Sequence, residues 1–177
     1  GASTGATSMA LGINDTHNNT KIIAVDNSLS MTEKCEKTLN NKVNNAQVIC
    51  ADIEILDIKN ASIVVLNLTL QFIAPENRQA LINKIYQGLN KGGALIVSEK
   101  IHFNDQQKQQ QMTELHLDFK RANGYSELEI AAKRQSIENV LITDDKNTHF
   151  KRFEQAGFNT STCHFQCLNF ASFLAVK

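Results

Sequence analysis

The chain has 177 residues, enough for one domain with a packed core and too few for two ordinary ones. Apolar residues make up 42% and charged residues 20%, which excludes a disordered or fibrous chain. The 18 Lys and Arg balance the 18 Asp and Glu, whereas a chain that grips tRNA or DNA by itself carries a basic excess to displace counterions. A small-molecule substrate is therefore the expectation, with no direct contact to nucleic acid.

The chain opens on a glycine loop, Gly1-Ala2-Ser3-Thr4-Gly5, followed by a short helix over 7–11. Ile22 to Val25 is an apolar run closed by Asp26-Asn27, the pattern of a buried parallel strand. Ser30 and Glu33 have capping-box spacing and predict a helix to about Leu39. Val48-Ile49-Cys50 reads as a second strand ending at Asp52, and Ile63 to Leu66 as a third ending at Asn67. Pro75 suits the first turn of a helix that carries Leu81, Ile82, Ile85 and Leu89 on one face, with Gly92-Gly93 as its stop. Ala94 to Val97 is then a fourth strand.

From about 100 to 143 the pattern turns to polar helix, including Gln106-Gln107-Lys108-Gln109-Gln110-Gln111. This reads as a helical insertion after a strand's carboxyl end, where open α/β sheets place their ligands. A last helix is predicted over 144–156 with Gly157 as its stop, and then a closing antiparallel hairpin from Phe158 to Val176. Strands alternating with helices imply right-handed βαβ units in one mostly parallel sheet, so residues 1–177 form a single α/β domain. A glycine loop that opens a helix needs a strand before it, so a first strand and an N-terminal segment upstream of Gly1 are expected.

Cys35, Cys50, Cys163 and Cys167 show no second pair at ligand spacing, so buried thiols and no metal are expected. No apolar run reaches the ~18–20 residues of a membrane span. With thiols kept reduced, the expected place is the cytoplasm.

Glycines at positions 1 and 5 let the backbone approach a ligand, and free N–H groups at a helix start suit an anion. Asp26 ends the next strand about twenty residues on, where a carboxylate accepts hydrogen bonds from a ribose diol; it also suits a helix cap. Asp52 and Asn67, at the next two strand ends, face the same crevice. The loop also spells G-x-S-x-G, the nucleophile elbow of hydrolases, and Asp144 or Asp145 with His149 or His164 formally completes a triad. That alternative leaves Asp26 and Asp52 without a role.

Lys21 to Ser28 (KIIAVDNS), Asn60 to Phe72 (NASIVVLNLTLQF), Arg78 to Lys100, Asp118 to Arg134 (DFKRANGYSELEIAAKR) and Glu138-Asn139-Val140 are similar to the carboxy-S-adenosylmethionine synthase family. The likeness covers essentially the whole chain, and the Asp118–Arg134 segment is its most particular part.

The resemblance implies a Rossmann-like class I methyltransferase fold and a reaction other than methyl transfer. S-adenosyl-L-methionine loses a methyl proton to give a sulfonium ylide; prephenate supplies carbon dioxide and leaves as phenylpyruvate. The product, carboxy-S-adenosyl-L-methionine, serves a separate enzyme that modifies the wobble uridine of tRNA. Carried over by position, the cofactor contacts are Gly1, Ala2, Ser3, Asp26, Asn27, Asp52, Ile53 and Asn67. Arg134 holds the added carboxylate and is the catalytic candidate. Ala2 stands where the family commonly has cysteine. A homodimer is also implied, with Phe103, Leu115, Leu117 and Phe119 as apolar residues a partner would cover. Arg121 and Lys120 are candidates for the prephenate dianion, unranked. The alternatives are an ordinary methyltransferase and a cofactor-binding remnant without activity.

Overall fold

The computed structural model describes residues 1–13, 19–137 and 140–177. Glu138 and Asn139 of the family-like segment lie outside them. The chain divides into two compact units, Gly1–Asp57 and Ile58–Lys177.

In the first unit, α1 (Ala6–Gly12) precedes β1 (Ile22–Asp26), α2 (Leu29–Leu39) and β2 (Ala46–Cys50). β1 and β2 pair in parallel from Ile22 opposite Ala46 to Asp26 opposite Cys50. Thr32, Cys35 and Leu39 recur at helical spacing and are buried, so α2 lays this stripe beside Ile22, Ala24 and Val43. The Ser30–Glu33 capping box does not form. The helix starts two residues earlier with Ser28 as its cap, and the Ser28 hydroxyl meets the Ser30 hydroxyl at 3.1 Å instead of a backbone amide.

The second unit holds β3 (Ala61–Asn67), a 3-10 turn (Leu70–Phe72), α3 (Pro75–Gly88), β4 (Leu89–Lys100), α4 (Gln106–Ala122), α5 (Glu127–Ile137), α6 (Lys146–Ala156), β5 (Thr160–Cys167) and β6 (Phe170–Val176). Its sheet has the order β3-β4-β6-β5. β3 and β4 are parallel, with Ile63 opposite Ala94, while β6 runs antiparallel to both β4 and β5. The fold class is the expected one, α/β with parallel strands and a C-terminal antiparallel hairpin.

Among the described residues the strands form two sheets, β1-β2 in the first unit and β3-β4-β6-β5 in the second. Ile22 N–H and Asp26 C=O both bond towards the β2 side, so the odd-numbered carbonyls of β1 face its other edge. There the Val25 carbonyl takes the Ala2 amide at 2.7 Å.

Leu89 belongs to a strand, not to the helix before it. The helix ends at Gly88, where any Cβ would collide with the Ile58 carbonyl, and the Lys177 ammonium bonds the Tyr86 and Leu89 carbonyls at 2.7 Å. A cation at this end also suits the helix dipole. Gly92 and Gly93 then lie inside β4, not at a helix stop. The thiols also differ from expectation: Cys35 is buried, but Cys50 and Cys167 are exposed, because they sit at outward positions of their strands.

Phe153 and Phe173 anchor the core of the second unit, with His149 stacked on Phe173 at 4.9 Å. His149 is 2% exposed, and neither ring nitrogen has a hydrogen-bond partner. Burial pushes its pKa down from 6.5 to about 4, with Asp144 pulling the other way. Its folded pKa is depressed, so the neutral ring's contribution is complete above about 6.5 and is lost as pH falls towards and through about 4. By linkage, the wild type should lose about 2 kcal/mol through this residue between pH 7.5 and pH 5. Urea unfolding at both pH values checks it: His149→Phe should show the smaller loss, and equal losses would show that His149 does not titrate with unfolding.

Candidate functional site

In the first unit the glycine loop is built against Asp26. Gly5 caps α1 with φ +89°, a left-handed conformation, and a Cβ there would meet the Cys35 sulfur at 2.9 Å. Ser3 is also left-handed, with φ +49°, and its amide donates to Asp26 Oδ2 at 2.8 Å. Gly1 lies so close that a Cβ would be 2.8 Å from the same oxygen. Asp26 Oδ1 accepts from the Ser28 amide at 3.0 Å. The carboxylate thus ties the loop to the start of α2.

Asn27 is exposed beside it. Asp52 Oδ1 accepts from the Glu54 amide at 2.8 Å, and its carbonyl accepts from the Ile55 and Leu56 amides. This tight turn holds Asp52 and Ile53 half-buried just past β2. Gly1, Ala2, Ser3, Asp26, Asn27, Asp52 and Ile53 therefore all belong to one compact unit, while Asn67 and Arg134 belong to the other.

In the second unit, Asn67 ends β3 and its carbonyl accepts from the Thr69 hydroxyl at 3.2 Å. The next turn is held by a residue the sequence reading missed. Glu99, 1% exposed, accepts the amides of Thr69 (3.0 Å), Leu70 (2.7 Å) and Gln71 (3.3 Å). Burial pushes the Glu99 carboxyl up to about 7, against the opposing pull of these three donors and of Arg78. The signal was available: Leu95, Val97 and Glu99 alternate as inward residues of β4, and an acid in that series needs buried donors.

Arg134 sits in the last turn of α5, exposed. Lys100 ends β4, and its pKa is lowered by burial and then by the charges of Lys120 and Arg134. Among the described residues, Lys100, Lys120, Lys133 and Arg134 form no ion pair with a carboxylate. Arg121 differs: it is bound to Asp118 and Glu127.

The Ser3 hydroxyl turns to the Met31 sulfur at 3.9 Å, the His149 ring nitrogens have no partner, and Asp144 is bonded to Arg78 and Arg152. No group of three or more His, Cys, Asp or Glu residues is placed for a metal among the described residues. No helix among them is long and apolar enough to cross a membrane.

A methyltransferase-domain family model matches residues 1–93. The carboxy-S-adenosyl-L-methionine synthase of Ruthia magnifica subsp. Calyptogena magnifica is 72% identical over 177 residues, all of this chain and 75% of that protein. The synthase of Photorhabdus laumondii subsp. laumondii is 52% identical, over all of this chain and 71% of its own length. Among solved structures, the apo form of the S-adenosylmethionine-dependent methyltransferase SibL matches with a TM-score of 0.66 at 15% identity, over 100% of this chain and 48% of SibL. Magnesium protoporphyrin IX methyltransferase from Synechocystis PCC 6803, with bound SAM, matches with a TM-score of 0.64 at 14% identity, over 100% of this chain and 67% of that one. These structures share the fold alone, and the chain spans about half the length of SibL. With the fold of the class I S-adenosylmethionine-dependent methyltransferases, the chain belongs to the carboxy-S-adenosyl-L-methionine synthase family.

Proposed function

We propose that the protein converts S-adenosyl-L-methionine and prephenate into carboxy-S-adenosyl-L-methionine and phenylpyruvate. The methyl group gives up a proton and gains the carbon dioxide that prephenate loses; prephenate's hydroxide leaves with that proton as water. S-adenosyl-L-methionine supplies the activated sulfonium methyl, and no metal takes part. In the first unit, the Gly1, Ala2 and Ser3 backbone, Asp26, Asn27, Asp52 and Ile53 bind the nucleoside and amino-acid parts of the ligand. In the second unit, Asn67 and Arg134 do so, Arg134 through the new carboxylate.

The observation that carries this reading is Arg134, a guanidinium without a carboxylate partner among the described residues. A methyl group offers it nothing, whereas a carboxylate invites a two-pronged, charge-assisted pair. The product passes to a separate enzyme that modifies the tRNA wobble uridine, in keeping with a chain of zero net charge. The place of action is the cytoplasm, where four unbridged cysteines are stable. The assembly is a homodimer: Leu115 and Phe119 on α4 are 43% and 60% exposed, although Phe103 and Leu117 are half-buried. Light scattering at micromolar concentration should give twice the chain mass, and a monomer would end the dimer reading.

Asp26→Ala removes the acceptor of the Ser3 and Ser28 amides as well as the proposed ribose contact. Calorimetry should show S-adenosyl-L-methionine binding weakened by about 2–4 kcal/mol in a variant that still folds. Unchanged affinity would reduce Asp26 to a cap. Arg134 is exposed, so Arg134→Leu should weaken binding of the carboxylated ligand by about 1.5–3 kcal/mol and of S-adenosyl-L-methionine by far less. Mass spectrometry of a reaction with both substrates decides the activity. Carboxy-S-adenosyl-L-methionine is the expected product; S-adenosylhomocysteine with a methylated acceptor would make the protein an ordinary methyltransferase.

A further inference from the structure

Between α4 and α5 lies a cavity of about 190 Å³, small by the standard of drug-sized sites. Its charged lining is Lys120, Lys133 and Glu129, and His116 stands beside them. The Glu129 carboxylate accepts from the Ser126 amide at 2.8 Å and the Ser126 hydroxyl at 2.7 Å, which fixes it at the start of α5; it offsets one of the two cations, and the charged lining keeps a net positive charge. His116, edge-on to Phe170, is pushed down to about 4 by burial and then by Lys120, Lys100 and Lys133. Two lysines facing a single carboxylate leave an excess of positive charge that a bound anion would compensate. The remaining walls are Phe119, Tyr125 and Ile130, apolar surfaces that fit the faces of a flat ring. Lys100, at the carboxyl end of β4, adds its charge where open α/β sheets bind ligands.

We propose that this cavity is the docking site of the second substrate, a ring-bearing organic dicarboxylate, with its carboxylates on Lys120 and Lys133 and its ring against Tyr125 and Ile130. The inference rests on the proposed reaction, in which that dianion is prephenate, and it adds the residues that hold it. Of the two cations in this stretch left unranked by sequence, Lys120 is available and Arg121 is not. Arg121 forks between Asp118 and Glu127 and contributes no free charge.

The test replaces both lysines by a neutral side chain of similar length, Lys120→Met with Lys133→Met, and sets it beside Arg121→Met. Neither lysine is fully buried, so the double variant should keep the wild-type melting temperature. Its KM for prephenate should rise at least tenfold while its KM for S-adenosyl-L-methionine stays within twofold. Arg121→Met should leave both within twofold. A double variant with wild-type prephenate KM overturns the site, and so does an Arg121→Met effect of equal size, which would mean general attraction and no local contact. Direct binding separates the site from the reaction: prephenate titrated into the wild type should shift the His116 and Tyr125 ring-proton resonances, and no shift at saturating prephenate overturns the site. Shifts in a protein that forms no carboxylated product keep the site and end the proposed reaction.

Discussion

The second unit depends on one buried guanidinium. Arg78, 1% exposed, donates to the Ile73 carbonyl at 2.9 Å, the Ile142 carbonyl at 2.9 Å, the Gln71 carbonyl at 3.3 Å and Asp144 Oδ2 at 2.8 Å. Arg152 shares Asp144 Oδ2 at 3.0 Å. Burial pushes the Asp144 carboxyl up, but its bond to Arg78 and the charges of Arg152 and Arg78 outweigh this and hold it below its ordinary value. Removing one member of such a set strands a buried charge, at a cost of about 3–5 kcal/mol.

This network decides where the helical insertion begins and ends. The chain leaves the sheet at Ile101 and His102 and returns at Ile142 to Asp144. Ile101 forms a bridge with Asp144, the His102 amide donates to the Asp144 carbonyl, and the Ile142 amide donates to the Gln71 carbonyl. Both ends of the α4–α5 excursion are thus pinned beside the turn after β3. Lys120, Lys133 and Arg134 ride on those two helices, so their nearness to the end of β4 follows from the pin.

Three acids are tied into the structure. Asp26 holds the glycine loop, Glu99 holds the turn after Asn67, and Asp144 holds Arg78 and Arg152. The cations around α4 and α5 are left over. A chain with zero formal net charge can therefore carry a locally positive cavity, because charge balance over the whole sequence says nothing about balance at one place.

The sequence alone carried the α/β class, the polar residues at three successive strand ends, the family, and the place of the insertion after β4. Those features reside in local periodicity and in short contiguous segments. It misplaced the end of α3 and the start of α2, since Gly88 is required by the distant Ile58 carbonyl and the Ser28 amide is bound by Asp26. Glu99's donors and the grouping of His116, Lys120 and Lys133 around one cavity were not legible, because the groups come from separate stretches of chain. Rank among the arginines was likewise decided by tertiary structure: Arg78, Arg121 and Arg152 are consumed by carboxylates, and among the described residues Arg134 is not. A side chain's type is written in the sequence, but whether its charge is already neutralised depends on which distant groups the fold brings within hydrogen-bonding reach.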